Sequence, residues 1–104
     1  MKKHKEYIER SDLKDATHLE VSVYYTKGGA NYFSGGTNPR GYYLSVKPVT
    51  KSENSVSFVM FTGRSKFLLE TNRYSDKQFA KAVEMSRDAR TELIAAVLSE
   101  SKAA

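Results

Sequence analysis

The apolar residues of this chain change their spacing once, and that change constrains the fold more than any other feature. From residue 18 to residue 26, apolar and polar residues alternate, which is typical of a half-buried strand. After Ser75 the apolar residues recur mostly at spacings of three and four, the pattern of one face of a helix. They are Phe79, Ala82, Val83, Ala89, Leu93, Ala96 and Val97. The sequence therefore predicts an α+β fold in which the strands come first and one helix comes last.

The predicted helix has a recognisable start. Ser75 is a good N-cap residue, and Gln78 stands three residues later, as a capping box requires. No Gly or Pro interrupts residues 76–104, so we predict one helix over about residues 76–101. A helix of that length can cross a sheet and project beyond it, where it would offer a surface to a partner.

Four strands are predicted before the helix, at about residues 18–26, 42–49, 55–61 and 65–71. The connections after the second and third strands are short turns, which favour pairing between neighbours in sequence. Short connections also favour antiparallel pairing, because parallel strands need a long crossover. The predicted fold is an antiparallel four-stranded twisted sheet, a meander within about residues 18–72, with one long C-terminal helix packed on it.

The N-terminal residues differ from the rest of the chain. The segment 2–10 is charged, and only Tyr7 and Ile8 could pack against a core. We therefore interpret residues 1–12 as a mobile or frayed basic segment. Residues 13–104 are interpreted as a single α+β domain, since one core commonly serves roughly 100–150 residues.

Composition narrows the class of protein. The chain has no cysteine, which argues against a secreted, disulfide-linked scaffold. The longest strongly apolar run is residues 58–61, far short of the roughly 20 residues that span a bilayer. No apolar stretch follows the basic N-terminus, as a signal peptide would require. We therefore expect a cytoplasmic protein that does not contact a membrane.

Positive charge and aromatic residues occur in the same stretch. The formal net charge is +5, and residues 21–69 account for all of it with six basic residues and one acidic residue. The same stretch holds five of the seven tyrosines and four of the five phenylalanines. This combination favours an anionic partner, nucleic acid first. The alternative is that the charge only keeps the surface solvated and the protein soluble.

A glycine-rich loop with aromatic pairs joins the first two predicted strands. Two successive units each contain an aromatic pair, a hydroxyl residue, two glycines and an asparagine, and a third aromatic pair opens the next strand. Gly-Gly and Asn-Pro favour turns, so we predict two successive tight turns with Tyr32 and Phe33 on a short strand or arm between them. Connections longer than about 12 residues are uncommon in compact domains unless they are functional or disordered, and this one, residues 27–41, has fifteen.

The loop and the strand after it supply the candidate contact residues. Aromatic rings could stack on bases, and the neighbouring cations could neutralise phosphates. The candidates for binding nucleic acid or another partner are Lys27, Tyr32, Phe33, Arg40, Tyr43 and Lys47. In the alternative interpretation, one aromatic residue of each pair packs in the core and the other covers the outer sheet face, so the loop is structural.

The sequence contains no recognisable catalytic or metal-binding pattern. His4 and His18 are the only histidines, so a zinc site would need carboxylates at unmarked spacings. No serine lies in a nucleophile elbow, and the carboxylates do not form a marked pair. The second Gly-Gly pair lacks the Gly-Lys-Ser/Thr ending of a phosphate loop. We therefore expect a protein that is not an enzyme and that uses neither a cofactor nor a metal.

Three stretches, residues 19–29, 31–33 and 40–46, resemble small uncharacterised proteins of bacterial plasmids, conjugative transposons and prophages. The resemblance covers about residues 19–61, and because that family has no assigned activity it implies no role for any residue. It does imply a context, since small proteins of mobile elements are often anti-defence inhibitors, including anti-CRISPR proteins, or accessory nucleic-acid-binding proteins. Inhibitors of guide-RNA nucleases are commonly acidic mimics of DNA, and this chain is basic.

The leading hypothesis is a non-enzymatic binding protein of a mobile element. It would engage nucleic acid or a nucleoprotein complex through a basic, aromatic sheet and the glycine-rich loop. One alternative is a protein–protein inhibitor of a host defence nuclease. Another is a small oligomerising module, such as a homodimer, that uses an exposed edge strand or the helix.

Overall fold

The structure is a computed structural model that describes residues 3–13, 16–30, 37–51, 56–58 and 64–103. Seven strands precede a single helix in the described part of the chain. In order they are β1 (His4–Glu9), β2 (His18–Thr26), β3 (Gly29–Ala30), β4 (Thr37–Asn38), β5 (Gly41–Lys51), β6 (Val56–Phe58), β7 (Arg64–Glu70) and α1 (Asp76–Ala103).

The main sheet is antiparallel and has four strand positions. β1 pairs with β2, and β2 pairs with β5. The other edge of β5 is shared, since β7 pairs with its first half and β6 with its last residues. β6 and β7 therefore lie end to end and fill one position between them. The predicted α+β fold, a four-stranded antiparallel sheet with a long C-terminal helix packed on it, is confirmed.

The strands that fill these positions differ from those predicted. The N-terminal segment was expected to be mobile or frayed, and that expectation is wrong for His4–Glu9, because all six residues pair with β2. The predicted third and fourth strands, in their described parts β6 and β7, share one edge instead of following each other across the sheet.

The sequence of β1 conceals its strand character because polar residues occupy its inner positions. Glu6 pairs with Val21 and Ile8 with Leu19, so both lie on the side of the sheet that faces α1. Glu6 is held there by an ion pair, with its Oε2 atom 2.9 Å from Nη1 of Arg90. Because a charged residue occupies an inner position, the sequence of β1 lacks the alternation of apolar and polar residues that marks a half-buried strand.

The core lies between α1 and one face of the sheet. Strands β2 and β5 each contribute three fully buried side chains, and the helix contributes its predicted apolar stripe. The buried core residues of these elements are Leu19, Val21, Val23, Tyr42, Leu44, Val46, Ala82, Ala89, Leu93 and Val97. Burying each large aliphatic side chain stabilises the fold by roughly 1.5–3 kcal/mol relative to exposure.

Ion pairs connect α1 to both edge strands of the sheet, β1 and β7. On the β1 side Arg90 contacts Glu6. On the β7 side Nζ of Lys66 lies 3.3 Å from Oε2 of Glu92, and Arg64 pairs with Glu100. Exposed pairs of this kind contribute only about 0–1 kcal/mol each, so they orient the helix more than they stabilise it.

Candidate functional site

The side of the main sheet opposite α1, called the outer face here, carries the candidate site. The registers place on it every second residue of each strand, alternating with the buried core residues. The described side chains on this face are Lys5, Tyr7, Glu9, His18, Glu20, Ser22, Tyr24, Thr26, Tyr43, Ser45, Lys47, Val49, Ser65, Phe67 and Glu70. α1 packs against the other face, so these side chains are available to a partner wherever they are exposed.

Three aromatic rings cross the outer face on neighbouring strands. The ring centroids of Tyr24 and Tyr43 lie 6.0 Å apart with an interplanar angle of 19°. The Phe67 ring lies 4.9 Å from that of Tyr43 at 62°. All three side chains are half-buried. We call Tyr24, Tyr43 and Phe67 the aromatic row; Lys3 extends it, with Nζ 5.6 Å from the centroid of the Tyr24 ring.

Strand alternation divides the two described aromatic pairs, Tyr24-Tyr25 and Tyr42-Tyr43, between the two faces. Tyr25 and Tyr42, the inner members, lie 5.1 Å apart by ring centroid and pack with Phe79 at the start of α1. Tyr24 and Tyr43, the outer members, belong to the aromatic row. For these two pairs the structure matches the alternative in which one ring packs in the core and the other covers the outer face.

A bulge in β7 brings Phe67 to the outer face. Tyr42 pairs with Leu69, but Tyr43 pairs with Phe67, so Leu68 is an extra residue. A bulge changes which side chains point to each face. Lys66 consequently turns toward α1, as its ion pair with the helix shows. Two basic residues of the predicted basic segment, Lys66 and Arg64, are therefore directed away from the outer face.

The absence of a side chain at Gly41 makes this arrangement possible. Its φ is 151°, and a Cβ atom there would overlap the carbonyl oxygen of Leu69 and lie 2.9 Å from the ring of Phe67. The β5 backbone can approach β7 this closely only if residue 41 is glycine. Gly41 is thus a requirement of the aromatic row, although it contributes no ring itself.

A buried carboxylate lies between two lysines on the outer face. Glu20 is only 5% exposed, and its oxygens lie 2.9 Å from Nζ of Lys5 and 3.2 Å from Nζ of Lys47. Burial by itself would raise the pKa of Glu20, but the hydrogen bonds and charges of the two lysines outweigh it and lower that pKa. The hydrogen bond to Glu20 raises the pKa of Lys5. Two lysines share one carboxylate, so the group keeps a net positive charge.

The glycine-rich loop forms a paired arm in its described part. β3 pairs with β4 through Gly29–Asn38 and Ala30–Thr37, which extends the hairpin of β2 and β5. Of the two predicted tight turns, the one at Gly35 and Gly36 lies outside the described residues, and at Gly28 and Gly29 the chain continues into β3 instead of reversing. Gly28 and Gly29 have φ values of 76° and 121°, so glycine is needed where the arm leaves β2.

The structure brings some of the predicted contact residues together. Tyr43 and Lys47 share the outer face of β5, and the hydroxyl of Tyr43 donates to the carbonyl of Pro39 at 3.4 Å. Lys27 and Arg40 are exposed at the base of the arm, where Nε of Arg40 donates to the Lys27 carbonyl at 3.1 Å.

Two of the predicted contact residues, Tyr32 and Phe33, lie outside the described residues, and their role stays a prediction. Sequence reasoning missed several residues of the outer face, namely Tyr24, Phe67, Lys3, Lys5 and Glu20. The alternation of residues 18–26 could have indicated Tyr24 and Glu20. Nothing in the sequence marks the bulge that turns Phe67 outward.

The described part of the chain contains neither a metal-binding cluster nor a membrane-spanning helix. No group of three or more His, Cys, Asp or Glu residues within it could hold a metal ion. No helix within it is both long enough and apolar enough to cross a membrane.

Comparisons of the chain with models of protein families, with curated proteins and with solved structures found no match. The mobile-element family therefore stays a prediction from the sequence, and function has to be inferred from the geometry of the outer face.

Proposed function

We propose that this protein binds single-stranded nucleic acid, alone or within a nucleoprotein complex, on the outer face of its sheet. The observation that carries the proposal is the aromatic row, three rings side by side on neighbouring strands on the face opposite α1. The protein would act by binding, without catalysis, as an accessory protein of a mobile element.

Unpaired bases suit the aromatic row because the bases of a duplex are already stacked on one another. Stacking of a base on an aromatic side chain contributes ~1–3 kcal/mol and tolerates any sequence, since every base has a flat face. Aromatic rings on a four-stranded sheet are a recurring means of binding single-stranded RNA. Tyr43 lies between Tyr24 and Phe67, so a strand that crosses the sheet could place successive bases on neighbouring rings.

The cations of the outer face support an anionic ligand. Lys3 lies beside the Tyr24 end of the row, and Lys5 and Lys47 have side chains that are 38% and 35% exposed. Glu20 offsets one of these three charges, and exposed Glu9 and Glu70 on the same face offset the other two. The excess positive charge of the site comes from exposed Lys27 and Arg40 at the base of the arm. A phosphate backbone would therefore meet net positive charge where it leaves the aromatic row toward the arm.

The first experiment measures affinity for labelled oligonucleotides of mixed sequence. Single-stranded DNA and RNA and a duplex control are titrated at several salt concentrations. We expect tighter binding of the single strands, with log affinity falling linearly with log salt by about 0.7 per phosphate neutralised. If no single strand binds at low salt, the proposal is wrong, and an acidic protein surface, as in the inhibitor hypothesis, becomes the better candidate partner.

A matched pair of variants tests whether the outer face is the binding surface. Lys47→Gln removes a cation from the outer face and should lower the salt slope by about 0.7. Lys66→Gln removes the same charge from the opposite face, where Lys66 pairs with Glu92, and should leave the slope unchanged. Equal effects of the two substitutions would mean that net charge, rather than the outer face, governs binding.

A further inference from the structure

The strand β1 forms one edge of the main sheet. It pairs with β2 on one side, and no strand of the described residues pairs with its other side. An edge strand presents unpaired backbone N–H and C=O groups, which can pair with a strand of another chain. Tyr7, in the middle of β1, is 43% exposed and is one of only two large hydrophobic residues that are exposed in the described part of the chain.

The direction of the backbone groups of β1 follows from one hydrogen bond. The N–H of Arg10 donates to the carbonyl of Thr17 at 2.9 Å, in the same register that pairs β1 with β2. Backbone groups alternate in direction along a strand, so the even-numbered residues of β1 bond to β2. The odd-numbered residues Lys5, Tyr7 and Glu9 therefore direct their N–H and C=O groups to the free edge.

These three residues are self-complementary about a twofold axis. If two β1 strands pair antiparallel with Tyr7 opposite Tyr7 of the second copy, each Lys5 lies opposite a Glu9. Each of these pairs would exchange two backbone hydrogen bonds, because all three residues direct their backbone groups to the free edge. The side chains lie together on the outer face, where opposite charges and aromatic pairs stabilise cross-strand contacts by roughly 0.2–1 kcal/mol each.

The helix contributes half-buried apolar residues on the same side. Arg90 contacts Glu6 of β1, which identifies the side of α1 that is nearest to β1. Val83, Ile94 and Leu98 lie on that side of α1, about two turns before, one turn after and two turns after Arg90. All three are only partly buried, as is Ile8 of β1. A second copy beside β1 would cover part of this apolar surface.

We propose that the free edge of β1 is a homodimer interface, at which the β1 strands of two copies pair antiparallel around Tyr7. The two sheets then form one continuous sheet with both helices on the same side. The outer faces join as well, with the two Lys5 and Glu9 pairs at the junction. The inference depends on β1 alone and would hold whether or not the outer face binds nucleic acid.

Disulfide trapping tests the register, because the natural chain has no cysteine. Opposed residues of a hydrogen-bonded antiparallel pair have Cα atoms about 5.5 Å apart, within the range that a disulfide spans. Tyr7→Cys should therefore cross-link to a covalent dimer under mild oxidation at low protein concentration. In Glu9→Cys, on the same exposed edge, the two cysteines would lie about 13 Å apart along the strands and should cross-link far more slowly.

Analytical ultracentrifugation of the unmodified protein over a concentration series provides the second test. We expect a reversible dimer, and we expect Glu9→Lys to raise its dissociation constant about tenfold, because each Lys5 would then face a lysine. Circular dichroism checks that each variant keeps its fold. A monomer at every concentration, equal cross-linking of both cysteine variants, or a dimer unaffected by Glu9→Lys would overturn the proposal.

Discussion

The hydroxyl of Tyr42 and the backbone of Ser75 are joined by two hydrogen bonds at the start of α1. The N–H of Ser75 donates to the Tyr42 hydroxyl, which donates to the Ser75 carbonyl, both at 3.2 Å. Oγ of Ser75 accepts the N–H of Gln78 at 3.1 Å. Half of the predicted capping box therefore forms. In the other half, the Tyr42 hydroxyl accepts the N–H of Ser75 in place of the Gln78 side chain. Oε1 of Gln78 is buried and has no hydrogen-bond partner among the described residues.

We expect Tyr42→Phe to lower the free energy of unfolding by ~1–3 kcal/mol, because the partly buried N–H of Ser75 would lose its acceptor. Gln78→Leu should cost less, since Oε1 of Gln78 accepts no hydrogen bond that could be lost. Urea denaturation of the two variants and the unmodified protein compares them. A larger loss for Gln78→Leu would show that the predicted reciprocal cap operates after all.

Gly41→Ala should destabilise the fold by about 3 kcal/mol or more, through a steric overlap with β7 and an unfavourable φ. Gly29→Ala separates these two causes. Its φ is also positive, at 121°, but no atom lies within 4 Å of the added Cβ, so only about 1 kcal/mol is expected. Thermal and urea denaturation measure both. Equal losses for the two variants would mean that the close approach of β5 to β7 contributes little.

Acid should destabilise the protein partly through Glu20. In the unfolded chain the Glu20 carboxylate becomes protonated near the ordinary glutamate pKa of about 4.3. In the folded protein the two lysines hold the pKa of this carboxylate lower. The stabilisation by Glu20 is therefore complete above that ordinary value and is lost as the pH falls through the lower, folded pKa. NMR titration of the Glu20 carboxyl should give a midpoint below that of an exposed glutamate.

Glu20→Gln should then reduce stability at neutral pH and flatten the dependence of stability on pH below about 4.3. Glu6 remains to maintain part of that dependence, since hydrogen bonding to His4 and the charge of Arg90 lower its pKa. If the Glu20→Gln variant loses stability with acid as steeply as the unmodified protein, Lys5 and Lys47 do not lower the pKa of Glu20 enough to affect stability.

The aromatic row should matter more for binding than for folding. Replacing Tyr24 by Leu keeps an apolar side chain on the outer face but removes the flat ring, so affinity for single strands should fall about 5- to 100-fold. Tyr25→Leu is the matched control, because its ring packs in the core with Tyr42 and Tyr74. The control should reduce the melting temperature and leave the affinity of the folded protein unchanged. The opposite pattern would exclude the aromatic row as the binding site.

Local patterns in the sequence were sufficient for the elements with regular spacing. The alternation of residues 18–26 predicted β2, and the three-and-four spacing predicted α1, which extends from Asp76 to Ala103. Both patterns arise because one face of each element is buried against apolar neighbours. β1 has no such pattern, since Glu6 on its inner face is neutralised by Arg90 from a distant part of the chain. A contact of that kind cannot be inferred from spacing.

The candidate site could be predicted only in part for a similar reason. Tyr43 and Lys47 are four residues apart on one strand, so their common face follows from the strand period. Phe67 joins them only because Leu68 is an extra residue in β7. The same bulge turns Lys66 toward Glu92, which removes it from the outer face.

The sequence by itself determined that strands precede one long capped helix and that the Tyr24-Tyr25 and Tyr42-Tyr43 pairs are each divided between two faces, because these depend on the local period of the backbone. The tertiary structure decided which strand begins the sheet, which residue accepts the Ser75 N–H, and which rings and lysines share the outer face. Those outcomes depend on the register between strands, on the space left by Gly41 and on charges that meet across the fold.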